Sequence, residues 1–359
     1  MASPRAQTVL LTGASGQVGA PVLRALAAAG YGVVALVHRT DAPGASATVE
    51  GDVCRPSLGL PPGQYRELAR LVDVVVHCAA ATAFRPDAHR TMAVNTHGTE
   101  RVLAFASHAQ ARLIHLSSAF VTRAELVRRN IAAYAGAGAE PIYTYLDSKQ
   151  RAERQVRDAH VPHVIVRPSL VIGDSQTGRM DCLQGVPTLL VAALAGWLKW
   201  LPLAPETTVD VVPSDFLARA IVELAADASS SGTVWVTAGS AAPTMGRLVR
   251  LLGSGNARRT GQSAGLDLLD PVSSLQRLER WAGGGVGSVR LMRQAVAQSA
   301  ALHGAEPFPS MDRVLPGITR PTATLIETTW LRTATHLIEH HVPADRRPLL
   351  GAQRAKANA

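Results

Sequence analysis

Hydrophobic positions come in two rhythms along this chain. Short apolar runs recur in the first two-thirds: Thr8-Val9-Leu10-Leu11, Gly32-Val33-Val34-Ala35-Leu36-Val37, Val74-Val75-Val76, Leu113-Ile114-His115-Leu116, Val164-Ile165-Val166 and Gly232-Thr233-Val234-Trp235-Val236. Unbroken β-branched and aliphatic runs of that length read as strands buried on both faces. Between them lie stretches with helical periodicity: Pro21–Ala29 closed by Gly30, a segment near Tyr65–Leu71, Met92–Ala106, and about Ile142–Ala159. Alternation at this spacing predicts βαβ units and a parallel sheet. A short run at Ala47–Glu50 adds an outer strand. Val209–Asp215 leads into a further helix, with Ser214 as a plausible cap. Beyond Gly173 the pattern loosens. Helical segments near 244–252, 267–281, 288–302 and 322–341 are separated by glycine-rich breaks at 253–265 and 283–287. The expected fold is α/β: a Rossmann-type doubly wound parallel sheet with a smaller, mainly helical C-terminal substrate lobe. The core would take residues 1–170, with sheet strands continuing to about 240. The lobe would take 171–345, and 346–359 would form a basic flexible tail carrying Arg346, Arg347, Arg354 and Lys356.

The first apolar run is followed by Thr12-Gly13-Ala14-Ser15-Gly16-Gln17-Val18-Gly19 and then by the first helix. Strand, glycine turn and helix in that order form a dinucleotide fingerprint. Gly13 permits the tight turn, Gly16 lets backbone approach a pyrophosphate at the positive helix end, and Gly19 allows close helix–sheet packing. Thr12, Ser15, Gln17 and Val18 complete the candidate loop. At the end of the second strand, where an acid would bind a ribose diol, stands Arg39, a residue suited to a 2′-phosphate. This favours NADP(H) over NAD(H), although Asp41 could still face the ribose. Asp52 and Val53 after the third strand, and the small Ala79 and Ala80 after the fourth, offer an adenine acceptor and bare backbone along the same edge.

Tyr145-Leu146-Asp147-Ser148-Lys149 places a phenol and an ammonium on one helix face. Lysine occurs only at 149, 199 and 356, which sharpens the pairing. A nearby positive charge makes a phenol more acidic and fits it to protonate a carbonyl oxygen as hydride arrives. An amphipathic pair on a solvated face would show the same spacing, and the glycine motif tips the balance. Asn95 is unfavourable inside a helix and asks for a reason. Ser117 and Ser118 end a strand at the carboxyl edge, where ligands sit in open α/β sheets. His77 reads as structural.

The 359 residues carry a formal net charge of +9, which would attract phosphorylated cofactors, coenzyme A or an acidic carrier protein. No helix-turn-helix, zinc or RNP pattern supports nucleic-acid binding. Cys54, Cys78 and Cys182 are isolated, so neither a disulfide framework nor a metal site is indicated. The first strand starts too early for a signal peptide. The apolar run from Gly185 to Pro205 is broken by Lys199 and prolines, and reads as a helix near the substrate entrance rather than a membrane span. A cytoplasmic location is expected.

The glycine motif, small-residue strand end, helix asparagine, paired serines and Tyr-x-x-x-Lys, in this order, resemble the extended short-chain dehydrogenase/reductase family. More narrowly, Gly51-Asp52-Val53, Val76–Ala80, Val94–Thr99, Tyr145–Lys149 with Ala152-Glu153, Arg167-Pro168-Ser169, Gly173–Gly178 and Asp210–Asp215 resemble thioester reductase domains and fatty acyl-CoA reductases. The resemblance covers about residues 8–240. It implies a catalytic tetrad: Tyr145 as proton donor, Lys149 to lower its pKa and hold the nicotinamide ribose, Ser118 on the substrate carbonyl with Ser117 as fallback, and Asn95 ordering a helix and a water. Pro168 and Ser169 would lie near the nicotinamide. The function implied is an NADPH-dependent carbonyl reductase acting on an acyl thioester, aldehyde or ketone of a hydrophobic acyl or polyketide-like substrate. A carrier would be supplied in trans, and a homodimer is also allowed. A nucleotide-sugar epimerase or dehydratase with retained cofactor, and a non-catalytic NADP-binding sensor, are the alternatives.

Overall fold

A computed structural model describes residues 7–82, 87–135, 140–182, 186–195, 197–198, 200–260, 266–280, 286–310 and 320–344. The C-terminal tail, Lys199 and the break at 283–285 lie outside them. The strands are β1 (Thr8–Thr12), β2 (Gly32–Val37), β3 (Ala47–Glu50), β4 (Val74–His77), β5 (Arg112–Leu116), β6 (His163–Pro168), β7 (Leu170–Ile172), β8 (Trp200–Leu201), β9 (Val211–Pro213), β10 (Gly232–Val236) and β11 (Asp267–Leu268). Seven of them form one parallel sheet in the order β10-β6-β5-β4-β1-β2-β3. The chain order reverses between β1 and β4. In open α/β sheets the crevice at that switch point, outside the carboxyl ends of the strands, takes the ligand.

The helices are α1 (Gly19–Ala28), α2 (Pro62–Leu71), α3 (Ala88–Met92), α4 (Gly98–Ala109), α5 (Ala124–Asn130), α6 (Glu140–Asp158), α7 (Val186–Leu194), α8 (Ser214–Ala226), α9 (Met245–Thr260), α10 (Pro271–Arg280), α11 (Val286–Ser299) and α12 (Ala323–His341). The continuous apolar strands are explained by two cores, one on each face of the sheet. On one face Val22, Leu23 and Leu26 of α1 meet Phe216, Leu217 and Leu224 of α8 over Val9, Leu11 and Val76. On the other, Leu68, Val102, Phe105 and Val156 cover Leu10, Val75 and Leu113. A third cluster, with Ile172, Trp200, Leu248, Met292, Trp330 and Leu337, holds the C-terminal helices together.

Several expectations need correction. The Met92–Ala106 helix is longer and is not regular: α3 and α4 are joined by a π-turn over Ala93–His97. Ser214 does not cap α8. Pro213 occupies that position, and the buried Ser214 hydroxyl has no hydrogen-bond partner among the described residues. Helix α9 runs through Gly253 and Gly255 to Thr260, across residues expected to form a break, and 261–265 lie outside the described residues. The segment 267–281 starts as a two-residue strand paired with β8 before turning helical. Residues 119–135, which had no assigned structure, form a short helical turn, α5 and a second π-turn.

Candidate active site

The glycine turn leaves β1 at the switch point. Gly13 has φ +72°, and a Cβ there would stand 2.6 Å from the Ala79 amide nitrogen. The two strand ends therefore meet backbone to backbone, which only glycine allows. A Cβ at Gly19 would stand 2.0 Å from the Gly13 carbonyl oxygen, so α1 sits directly against the turn. The Gly16 amide donates to the Gly13 oxygen at 3.0 Å. Its own N–H is thus spent inside the turn rather than offered to a ligand.

A cleft of about 570 Å³ opens above this floor. Of the expected cofactor residues, Thr12, Gly13, Ser15, Gly16, Arg39, Asp52, Val53, Ala79 and Ala80 line it. Asp41 does not: its carboxylate turns back to accept from the Ala42 amide at 2.8 Å. The Asp52 carboxylate accepts from the Cys54 amide at 2.8 Å. Gln17, Val18, Gly19, Tyr145, Lys149, Pro168 and Ser169 lie outside the lining. The Gln17 side chain instead accepts from the Cys182 amide at 3.0 Å, in a loop whose Asp181 also binds Arg24 of α1 through two bonds of 2.7 and 2.9 Å. Sequence reasoning missed Arg90, which lines the cleft from α3. Neither the Arg39 nor the Arg90 guanidinium has a hydrogen-bond or ion-pair partner among the described residues.

The second half of the site forms where β5 ends. Leu116 is followed by two extended residues that face opposite ways. Ser117 donates to the Glu153 carboxylate at 2.6 Å. Ser118 accepts from the Phe120 amide at 3.3 Å, and its hydroxyl acts on the Tyr145 phenol, drawing its pKa down. This separates the two serines: Ser118 meets the tyrosine, and Ser117 does not. Tyr145, Lys149 and Glu153 share one stripe of α6, spaced four residues apart. The Lys149 ammonium is buried, with 4% of its surface exposed, and donates to the Leu116 carbonyl at 2.8 Å. Burial pulls its pKa down to about 8, although the Cys78 and Glu153 charges act the other way. The expectation that Lys149 acidifies the phenol is not met. Burial pushes the Tyr145 pKa above its ordinary value, and the Ser118 hydrogen bond brings it only part of the way back.

Asn95 sits in the π-turn with its side chain fully engaged. Its Oδ1 accepts from the Ala81 amide at 2.7 Å, and its Nδ2 donates to the Ala81 carbonyl and the Ser148 hydroxyl, both at 2.9 Å. Ser148 in turn donates to the Tyr145 carbonyl at 2.7 Å. A single side chain thus ties the cleft wall to the tyrosine helix. Behind Lys149, Glu153 also receives Arg167 at 2.6 and 2.8 Å and Arg157 at 2.6 Å. Burial raises the Glu153 pKa, but the bonds from Arg167 and Ser117 outweigh that and hold it below the ordinary carboxylate value. Pro168 closes β6, and buried Ser169 donates its amide to the Val236 carbonyl at 3.1 Å. No metal-binding cluster occurs among the described residues, and none of their helices is long and apolar enough to cross a membrane.

A family model described as "Male sterility protein" matches residues 45–221. A hybrid PKS-NRPS synthetase of Talaromyces variabilis is 29% identical over 237 residues, which are 60% of this chain and 6% of that protein. A putative fatty acyl-CoA reductase of Drosophila melanogaster is 28% identical over 206 residues, 48% of this chain and 40% of that one. The chain therefore spans well under two-thirds of these relatives. The crystal structure of the terminal R domain from the myxalamid PKS-NRPS biosynthetic pathway superposes with a TM-score of 0.70 at 21% identity, covering 96% of this chain and 93% of that one. These matches support a place among the extended short-chain dehydrogenase/reductases. Within them it stands close to the thioester reductases and fatty acyl-CoA reductases. The NAD(P)-binding character of this oxidoreductase family accounts for the glycine-floored cleft at the switch point. The fold likeness over 96% of the chain also takes in residues past 240, for which the sequence offered no match.

Proposed function

We propose that the chain is an NADPH-dependent reductase acting on the carbonyl of a hydrophobic acyl group, as a thioester, aldehyde or ketone. The observation that carries this reading is that Tyr145 and the buried Lys149 share one stripe of α6 at the end of β5, where Ser118 acts on the phenol, with Asn95 fastening that helix to the wall of the cleft. The residues fit a dinucleotide: the Gly13–Ala79 contact bares backbone under the cleft, and Arg39 and Arg90 offer unengaged guanidinium groups at its far end. Arg39 in the cleft, with Asp41 turned away, favours a 2′-phosphate over a bare ribose diol.

When bound, the reduced nicotinamide supplies a hydride to the carbonyl carbon. The chain does the rest. Ser118 donates a hydrogen bond to the carbonyl oxygen, stabilising the charge that develops there. Tyr145 passes its phenolic proton to that oxygen. The buried Lys149 ammonium, bonded to the Leu116 carbonyl, keeps positive charge at the end of β5. With a thioester, the resulting hemithioacetal expels thiol and leaves an aldehyde; with a ketone or aldehyde, protonation yields the alcohol. Two features support an acyl group delivered by coenzyme A or by an acidic carrier protein: the net charge of +9 and the synthetase relative. The test is turnover of NADPH with a panel of acyl-CoA thioesters and aryl ketones, followed by nicotinamide absorbance. Tyr145→Phe should stop turnover while nucleotide binding persists. Undiminished turnover in that variant would overturn the mechanism.

A further inference from the structure

His77 is the last residue of β4 and is 2% exposed. Its two ring nitrogens reach opposite halves of the site. Nδ1 lies 2.7 Å from the Thr12 hydroxyl, and Nε2 lies 3.2 Å from the Thr99 hydroxyl. The directions of these bonds follow from counting protons. Thr99 spends its one hydroxyl proton on the Asn95 carbonyl, at 2.8 Å. Toward His77 it can only accept, so Nε2 carries the ring proton. Nδ1 then holds a lone pair and accepts from Thr12. The Thr12 oxygen completes the chain by accepting from the Ala79 amide at 3.2 Å.

Each end of this chain holds something the proposed reaction needs. Thr12 and Ala79 form the floor of the cleft. Asn95 grips Ala81 and, through Ser148, the carbonyl of Tyr145. We infer that His77 is a positioning residue, a neutral imidazole of fixed tautomer that locks the nucleotide floor to the turn supporting the catalytic helix. The inference rests on the reductase reading for its kinetic consequences but not for its structural ones. Burial, with the Lys149 charge adding to it, lowers the His77 pKa to about 3, so the ring stays neutral in the working range. The neighbouring His115 ring, 5.5 Å away, is also held well below its ordinary value by burial and the same lysine, and so adds no charge.

The test uses His77→Gln and His77→Leu in the full chain. A glutamine amide can accept from Thr12 with its oxygen and donate to Thr99 with its nitrogen; leucine keeps volume and loses both bonds. His77→Leu should lose about tenfold or more in both nucleotide affinity and kcat, with His77→Gln recovering most of each. Equal losses in the two variants would reduce His77 to packing and overturn the inference. Should His77→Leu fail to fold, Thr99→Val breaks only the Asn95 end: kcat should fall while nucleotide affinity holds within about twofold. Equal loss of both in Thr99→Val would count against the proposal. Nitrogen NMR of the wild-type ring gives a readout independent of turnover. It should show the neutral Nε2–H tautomer unchanged from about pH 5 to about pH 9. A ring protonated at Nδ1, or one titrating in that range, would overturn the assignment. If NADPH binds but no carbonyl substrate is reduced, the reductase reading fails while the tautomer and affinity results still decide this one.

Discussion

Removing the Lys149 charge should make the protein more stable and inactive. The ammonium is buried, and its pKa falls from 10.5 to about 8. That difference corresponds to roughly 3 kcal/mol by which folding disfavours the charged form at neutral pH. Lys149→Met keeps most of the volume and removes this penalty. It also removes the bond to the Leu116 carbonyl, worth about 1 kcal/mol, so the net gain should be about 2 kcal/mol near pH 7. The sign can be checked against pH. The folded pKa is depressed, so the unfolded chain binds more protons between about pH 8 and about pH 10.5. Wild-type stability gains from this group as pH rises through that window, and the advantage of the variant should shrink to zero or reverse above it. Urea unfolding of both proteins at about pH 7 and about pH 10.5, taken as a difference, cancels the other titrating groups. A variant less stable than wild type at neutral pH, or a pH-independent difference, would refute the reasoning. Turnover should be lost in the same variant, as expected where a strained charge is kept for chemistry.

Gly13→Ala forces a Cβ to 2.6 Å from the Ala79 nitrogen at φ +72°, so it should cost at least about 2 kcal/mol and abolish nucleotide binding, read by thermal unfolding and by fluorescence titration. Arg39→Ala should weaken NADPH far more than NADH, and Arg90→Ala should do the same to a smaller degree; equal effects on the two nucleotides would remove both from phosphate recognition. Glu153→Gln leaves Arg167 and Arg157 without their buried carboxylate and should destabilise by about 3 kcal/mol near pH 7. The folded Glu153 pKa is depressed, so the carboxylate's contribution is present above the unfolded value and is lost as pH falls through the folded one. The gap between Glu153→Gln and wild type should therefore close in acid.

The sheet could be read because each strand, buried on both faces, must be apolar throughout, and β1, β2, β3 and β10 begin and end close to their runs. The glycine turn could be read because backbone contact at Gly13 leaves one residue type able to do it. The π-turn could not: its widening follows from how Asn95 bonds to Ala81 and Ser148, and those partners lie far from it in sequence. Residues 119–135 are held by distant partners, such as Arg123, which stacks 3.6 Å from the Phe308 ring centroid and donates to the Ala301 and Glu306 carbonyls. No local rhythm announces that. The Tyr145–Lys149 spacing was legible, but its electrostatics were not. Proximity along a helix suggested a phenol acidified by an amine, whereas the fold sends the ammonium to the Leu116 carbonyl and lets burial dominate both groups.

The π-turn at Ala93–His97 has an engineering consequence. Such a bulge amounts to one surplus residue in an otherwise continuous helix, and each helical residue turns its neighbours by about a quarter of a circle. Shortening this stretch by a single position would give a smoother, better-bonded rod, while swinging everything on its upstream side, Arg90 included, out of line with the crevice. Indel libraries across this segment should therefore separate robust folding from useful chemistry more cleanly than any point substitution in it.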